Sequence, residues 1–282
     1  MNITAQSSAV NLASTNTILA NTLSANPLFA KNSPANSSFN KLASSKNLAP
    51  QENLLLAAIS HDEWSKLEPE MEEVDLSLNQ VLSESGKTPA YMYFPTTAIV
   101  SLLYMTESGS SSEVAVIGND GVVGISLVLS GSNSPNQALV QTAGKGYRMR
   151  AQAVKNAINR DGRILNILLR YSQAMITQVT QTAVCNRHHT IDQQLCRRLL
   201  LSLDRLSANE IAITQEMLAS MLGVRRESVT DAALKLQSAS IISYKRGLIT
   251  ILDRKALESR SCECYATSRN EQLRLQKLAL VS

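Results

Sequence analysis

The sequence predicts an α+β protein in which an antiparallel β-domain is followed by a long helix and a compact helical domain. Short runs rich in β-branched and aromatic residues, separated by Gly-, Ser- and Asn-rich breakers, fill residues 74–149. From residue 165 onward, apolar residues recur at helical spacing. Residues 214–252 then show the pattern of a helix, a glycine, a second helix and a hairpin. Together these three patterns predict the fold class.

Length, composition and cysteine content exclude several classes of protein. The chain has 282 residues, enough for two folded units at about 100–200 residues per domain. Hydrophobic residues make up 44% and charged residues 18%, as is typical of globular proteins. No apolar window reaches the length of about 18 residues that a membrane helix needs, and the N-terminus shows no secretory pattern. Four cysteines are too few for a disulfide framework, so we expect a cytoplasmic protein without membrane contact.

Charge and composition change along the chain. Residues 1–50 are rich in Ser, Asn, Ala, Thr and Leu without a sustained period, which predicts a disordered tail. Residues 51–184 carry nine basic against thirteen acidic side chains, whereas residues 185–282 carry fifteen against ten. A basic C-terminal third favours contact with a polyanion, although solvated Lys and Arg on a helical surface would give the same balance.

The β-domain is predicted over residues 51–160. It begins with two short helices, the second of them capped at Ser60 with Glu63 at capping-box spacing. Seven runs follow that have strand composition: 74–82, 91–94, 99–104, 113–117, 122–125, 138–141 and 146–149. Such closely spaced strands, with no helices between them, predict an antiparallel sandwich or barrel-like roll.

A long helix is predicted over residues 161–189. Its apolar seam advances in steps of three and four, as in a two-stranded helix pair, through Leu165, Leu168, Ser172, Met175, Val179 and Thr182. The seam can pack on its own β-domain or on a second chain. We predict a homodimer, with Leu165, Leu168, Met175 and Val179 at the contact.

A winged helix-turn-helix is predicted over residues 190–260. Thr214 has the character of an N-cap, and Gly223 permits the left-handed geometry that ends a helix. Ala219 and Val229 supply the small and aliphatic residues needed where two helices cross. A hairpin that turns at Arg246–Gly247 follows as the wing.

The second helix and the wing carry side chains suited to double-stranded DNA. They are Thr214, Arg225, Arg226, Glu227, Ser228, Thr230, Asp231, Lys245 and Arg246. Arginine can bind the edge of guanine bidentately and Glu can accept from cytosine, while hydroxyls and cations suit phosphates. A helical hairpin that docks a protein instead remains the alternative.

The order of these parts, and above all the stretch Thr214–Gln237 with its Gly-Val-Arg-Arg-Glu-Ser-Val, resembles the Crp/Fnr family of bacterial transcription regulators over residues 52–260. The resemblance implies a cyclic-nucleotide-binding-like jelly roll, DNA as the ligand and RNA polymerase as a further partner. It also implies that Arg226 and Glu227 read bases and that Thr214 and Ser228 contact phosphates. Asp231 departs from the pattern of the cyclic-AMP-responsive members, which carry a second base-reading Arg there, so the target sequence should differ.

The sensing half departs further from the family's pattern. The turn at residues 121–125 lacks a Glu, and residues 134–139 lack the Arg that holds a cyclic phosphate. A buried phosphate without a cationic partner costs several kcal/mol, so we predict no cyclic AMP binding in the usual mode. No Cys precedes Cys185, so the N-terminal cysteine cluster of the iron–sulfur members is also missing. The effector is an apolar small molecule, a partner or nothing.

Cysteines and histidines form a weaker constellation near the C-terminus. Its members are Cys185, His188, His189, Cys196, Cys262 and Cys264. They can bind zinc or sense redox state, or they can pack as small apolar groups and as cations at a helix end. Because their spacing matches no zinc ribbon, we predict no metal and no cofactor, and a helical extension over residues 261–282.

Taken together, the sequence predicts a homodimeric, sequence-specific DNA-binding transcription regulator. No Gly-rich phosphate loop, Ser-His-Asp set or paired carboxylates stand out, so we predict no catalytic residues and no enzyme. Regulation by a small molecule or by a redox or metal signal stays open.

Overall fold

The computed structural model describes residues 49–130, 133–160, 162–206 and 208–281. The predicted tail, residues 1–50, lies outside this range except for its last two residues. In the part of the chain that is described, no helix combines the length and the apolar character needed to cross a lipid bilayer.

Helices and strands follow the predicted order. The α-helices of the described chain are α1 (Leu54–Ala57), α2 (His61–Leu67), α3 (Ser126–Leu129), α4 (Ala151–Arg160), α5 (Gly162–His188), α6 (Ile191–Leu203), α7 (Gln215–Leu222), α8 (Arg226–Ser238), α9 (Arg254–Arg260) and α10 (Glu263–Val281). The strands are β1 (Met71–Leu76), β2 (Val81–Ser83), β3 (Tyr91–Pro95), β4 (Ile99–Met105), β5 (Ser111–Ile117), β6 (Gln137–Thr142), β7 (Gly144–Arg150), β8 (Glu210–Ala212), β9 (Ile242–Lys245) and β10 (Leu248–Ile251).

The N-terminal part of the described chain is built from two antiparallel sheets, which confirms the predicted sheet type. One sheet has the strand order β1-β7-β3 and the other β2-β6-β4-β5. Leu76 and Tyr93 from the first sheet share an apolar cluster with Val100, Ile117 and Val140 from the second. The alternating runs of the sequence therefore point their apolar side chains into the space between the sheets.

Two of the predicted strands differ from the structure. Residues 74–82 contain the end of β1 and the start of β2, with a turn between them in which Asn79 has φ +64°. Residues 122–125 make only an isolated bridge between Val123 and Tyr93 and then lead into α3. Val122 and Val123 are buried all the same, so their apolar character reflects core packing rather than a strand.

The long helix is confirmed as α5. Its buried face packs on the β-domain, where the Tyr171 hydroxyl donates to the carbonyl of Val122 at 3.1 Å and Gln178 Nε2 donates to that of Val116 at 3.1 Å. The C-terminal helix α10 packs along α5. The β-domain and α10 therefore each cover one face of α5, and these two faces are unavailable to a second chain.

A second core holds the C-terminal part together. It joins α6, α7, α8 and α9 to a small sheet of order β8-β10-β9, with Leu199, Leu218, Val229, Ile249 and Leu257 fully or almost fully buried. Helix α6 begins at a capping box formed by Thr190 and Gln193.

Two buried ion pairs connect α6 and the residues just after it to the β-domain. Arg198 Nε lies 2.5 Å from Glu113 Oε1, and Arg205 Nη2 lies 2.6 Å from Asp120 Oδ2. All four side chains are less than 9% exposed. Helix α6, which shares the second core with α7 and α8, therefore has a defined position on the β-domain.

Candidate nucleic-acid interface

The helix-turn-helix consists of α7 and α8 with a left-handed glycine between them. Thr214 caps α7, because its side-chain oxygen accepts from Met217 N at 3.1 Å. Gly223 has φ +66° and ends that helix, so the chain can turn within a few residues. Ala219 and Val229 are buried between the two helices. The roles predicted for these four residues in the motif agree with this geometry.

The N-terminal end of α8 presents charged side chains to solvent. Arg225, Arg226 and Glu227 are exposed, and Asp231 is exposed one turn later. Arg225 is the N-cap residue and makes no side-chain cap, so the N–H groups of Arg226 and Glu227 have no side-chain acceptor, whereas the N–H of Ser228 donates to the Arg225 carbonyl at 3.1 Å. Among the described residues, Arg225 and Arg226 make no ion pair with a carboxylate. This end of α8 therefore has unpaired cations beside a helix end without a side-chain cap.

Two predicted contact residues are less accessible than the arginines. The Thr230 hydroxyl is half-buried, with Gln215 Oε1 and the Arg226 carbonyl each 3.0 Å away as acceptors. Thr230 therefore ties α8 to α7. Ser228 and Thr214 are also half-buried, at the edge of the same surface.

The wing lies beside the second helix of the motif. Its turn places Arg246 at φ +50° and Gly247 at φ +80°, as a tight two-residue hairpin requires. Lys245 and Arg246 are exposed at the tip. The Tyr244 hydroxyl donates to the Ile213 carbonyl at 3.1 Å, and burial raises the pKa of Tyr244 to about 12, so it stays a donor at neutral pH. This bond fixes the wing to the residue between β8 and the N-cap of α7.

The predicted dimer residues do not share one environment. Leu168 is buried in the core of its own chain, and Leu165 and Met175 are partly buried. Val179 is 37% exposed. The most exposed apolar residues of α5 are instead Ile176 at 57% and Leu169 at 44%, which lie seven residues apart. The exposed residues Leu169 and Ile176 therefore each lie one position after a residue of the predicted seam. Of the four predicted contact residues, Val179 alone belongs to this exposed apolar line.

A cavity of about 290 Å³ lies between the β-domain and α5. Its lining includes Val123, Ile125, Ala138, Met175 and Val179, and no charged side chain reaches it among the described residues. The sequence segments that lack Glu and Arg, residues 121–125 and 134–139, both contribute to this lining. The cavity is therefore mostly apolar, and the polar side chains that the described residues contribute to it are uncharged Ser and Asn, which do not balance the charge of a phosphate.

The structure also brings together part of the cysteine and histidine constellation. Cys185, His189, Cys262 and Cys264 converge at the junction of α5 and α10, whereas His188 is exposed and Cys196 is buried elsewhere on α6. Burial raises the pKa of the Cys264 thiol to about 11 and also raises that of Cys185. The sequence did not identify this convergence, because 77 residues separate Cys185 from Cys262.

Comparison with known proteins agrees with this geometry. Residues 193–260 match the family model of the Crp-like helix-turn-helix domain. Comparison with the curated proteins gave no sequence match. Solved structures with a similar fold include three bacterial proteins.

FixK2 from Bradyrhizobium japonicum is 16% identical, with a TM-score of 0.58 over 68% of this chain and 98% of that one. A Crp/Fnr family transcriptional regulator from Thermus thermophilus is 18% identical, with a TM-score of 0.55 over 67% and 98%. The c-di-GMP responsive global regulator CLP of Xanthomonas campestris is 12% identical, with a TM-score of 0.55 over 69% and 100%. The chain thus combines a Crp-like helix-turn-helix domain with the fold of the Crp/Fnr family of transcription regulators.

Proposed function

We propose that this protein is a sequence-specific, double-stranded-DNA-binding transcription regulator that acts as a homodimer. The observation that carries the proposal is the N-terminal end of α8, where Arg225 and Arg226 are exposed, lack carboxylate partners among the described residues and lie beside a helix end without a side-chain cap. This end belongs to the segment that matches the Crp-like helix-turn-helix model. A DNA major groove offers the phosphates and base edges that these groups bind.

Each side chain of this surface has a distinct proposed role. Arg226 binds a guanine edge bidentately and Glu227 accepts from a cytosine amino group. Ser228 and Thr214 contact phosphates with their hydroxyls, while Thr230 holds α8 in position. Lys245 and Arg246 of the wing, together with Arg225, attract the phosphates of the DNA backbone.

Asp231 limits which DNA sequence is bound. It is exposed one helical turn after Glu227, on the same side of α8. A carboxylate there repels phosphates and cannot read guanine as an arginine would. We therefore expect a target that differs from the sites of regulators carrying Arg at this position.

The homodimer is proposed to form along α5. Leu169, Ile176 and Val179 leave an apolar line exposed on a 27-residue helix whose other sides are covered by the β-domain and α10. Pairing two such lines about a two-fold axis buries them. Two copies of α8 then enter major grooves about 34–36 Å apart and read a near-palindrome. RNA polymerase is the expected protein partner of the DNA-bound dimer.

Selection from a randomised duplex pool near physiological salt, without added ligand, tests the proposal. We expect enrichment of a two-fold-symmetric site, and Arg226→Ala should weaken binding to it by about 1–3 kcal/mol and relax specificity at one base pair. Arg160→Ala on α4 removes the same charge from an exposed position of the β-domain and should leave binding unchanged. Equal affinity of Arg226→Ala and wild type for the selected site would refute the DNA-reading role. Binding without selection would favour a protein partner for the motif.

The apolar cavity supports a second, regulatory function. We propose that an uncharged apolar small molecule binds between the β-domain and α5, since about 290 Å³ of space lined without charge suits such a ligand. Titration with the neutral fluorophore N-phenyl-1-naphthylamine should give saturable binding and raise the melting temperature. Absence of saturable binding would refute this second function and leave the DNA proposal unaffected.

A further inference from the structure

Four potential metal ligands converge where the long helix ends. Cys185 lies in the last turn of α5, His189 directly follows that helix, and Cys262 and Cys264 lie at the start of α10. One ligand atom from each lies within 4.8 Å of every other. The Sγ atoms of Cys185 and Cys262 are 3.5 Å apart, and Cys264 Sγ lies 3.6 Å from His189 Nδ1. Three of the four residues are buried and the histidine is partly buried.

These separations fit a single tetrahedral ion. Zinc binds thiolate sulfur at about 2.3 Å and imidazole nitrogen at about 2.0–2.1 Å. In a regular tetrahedron with those bond lengths, sulfur atoms are about 3.8 Å apart and sulfur and nitrogen about 3.6 Å apart. A [4Fe–4S] cluster places each protein ligand on a different iron and a [2Fe–2S] cluster divides four ligands between two irons, so either cluster would need some ligand atoms farther apart than the 4.8 Å found here. The donor set and its spacing therefore favour one mononuclear ion.

The histidine is oriented as a zinc ligand would be. While Nδ1 faces Cys264, the other ring nitrogen, Nε2, lies 3.2 Å from Glu263 Oε1. A carboxylate that accepts the second ring N–H fixes the tautomer in which the first nitrogen is free to bind a metal. Glu263 therefore acts as a positioning residue for His189.

A buried arginine supplies the charge that such a site requires. Three thiolates, a neutral imidazole and Zn²⁺ together carry one negative charge. Arg197 is 5% exposed and lines the same small cavity as Cys185. Its guanidinium donates to Thr182 Oγ1 at 3.1 Å, and within the described residues it forms no ion pair with a carboxylate. A buried cation of this kind is stabilised by a neighbouring anion, which neutral thiols would not provide.

From this arrangement we propose that Cys185, His189, Cys262 and Cys264 bind one Zn²⁺ as a closed structural site. The ion uses all four ligands and leaves no open position for catalysis. It joins the start of α10 to the end of α5, directly before Thr190 caps α6. It thereby fixes the junction from which the helix-turn-helix extends. Simple packing of thiols would require neither the carboxylate beside His189 nor the buried guanidinium.

Metal binding to the full chain tests the site without any DNA. The protein is reduced and stripped with a chelator, and Zn²⁺ is then titrated in competition with 4-(2-pyridylazo)resorcinol. Co²⁺ is used in parallel, because tetrahedral cobalt thiolates have intense visible bands. We expect one Zn²⁺ per chain and a cobalt spectrum typical of tetrahedral coordination with sulfur ligands. Binding of no metal, or a Cys185–Cys262 disulfide that forms whether or not zinc is supplied, would overturn the proposal.

Matched variants separate ligation from folding. His189→Ala and Cys264→Ser should lose at least 100-fold in zinc affinity, whereas the neighbouring controls His188→Ala and Cys196→Ser should retain it. Glu263→Gln should weaken binding by about 10–100-fold, as expected for a carboxylate that orients a ligand. Circular dichroism verifies that each variant folds, and zinc should raise the melting temperature of His188→Ala but not of His189→Ala. Equal affinity in the two histidine variants would exclude His189 as a ligand.

Discussion

Replacing Arg198 tests whether buried charge holds the helix-turn-helix on the β-domain. Arg198 extends from α6 to Glu113 on β5, with Nη2 donating to Oε2 at 2.8 Å. Arg198 is 3% and Glu113 6% exposed. In Arg198→Met the methionine fills most of the volume, but the carboxylate of Glu113 loses its cation.

The expected loss in the free energy of unfolding depends on which hydrogen-bond partners Glu113 keeps in the variant. Ser101 Oγ still donates to Oε2 at 2.5 Å, which is one hydrogen bond for a buried charge. Breaking a buried ion pair by removing one partner costs about 3–5 kcal/mol, because the other charge stays in a medium of low polarity. Arg198→Met should therefore lower the free energy of unfolding by about 3–5 kcal/mol, a large share of the 5–15 kcal/mol typical of a folded domain.

Denaturant unfolding measures this effect. The fluorescence of Trp64, the single tryptophan, reports on the β-domain, and circular dichroism reports on the helices. The double variant Glu113→Leu/Arg198→Met removes both charges and should recover most of the loss. Lys235→Met breaks the exposed pair with Asp192 and should cost only about 0–1 kcal/mol. A cost for Arg198→Met as small as that of Lys235→Met would refute the buried contact.

Three further variants test the wing, the dimer line and the turn before α3. Lys245→Ala should weaken DNA binding about equally across sequences. Fluorescence anisotropy over a salt series should show that the slope of the logarithm of the binding constant against the logarithm of salt concentration falls in magnitude by about 1. A loss of affinity confined to one base pair would contradict a role at the DNA backbone. Ile176→Glu should convert the dimer to a monomer in light scattering, whereas Val81→Glu, at an exposed apolar position on β2 (39% against 57% for Ile176), should not. Gly124 has φ +96°, and an added Cβ would lie 3.1 Å from the Tyr91 carbonyl oxygen, so Gly124→Ala should cost about 1–3 kcal/mol in thermal unfolding. Gly162→Ala, with open space around its Cβ, serves as the control for that comparison.

Local patterns predicted some elements well and others poorly. The helix-turn-helix could be predicted because capping at Thr214 and the turn at Gly223 depend on neighbouring residues. Residues 122–125 have strand composition, but Gly124 with its positive φ ends the pairing after one bridge. Periodicity also indicates an apolar stripe on α5 without showing what covers it, so it predicts Leu168 at a dimer contact, whereas in the structure the β-domain buries Leu168. The cysteine cluster depends on the packing of α10 against α5, which no local pattern specifies.

Two buried ion pairs join α6 and the residue Arg205 after it to the β-domain, and this has a mechanical consequence. Arg198 pairs with Glu113, and Arg205 pairs with Asp120, to which Gln272 of α10 also donates. Ion pairs and hydrogen bonds of this kind depend on direction, whereas apolar packing tolerates sliding, so they favour one orientation of α6 on the β-domain. A zinc site at the junction of α5 and α10 would add a third directional constraint near the same helix. A rotation of α6 on the β-domain would therefore have to break both buried pairs, Arg198 with Glu113 and Arg205 with Asp120.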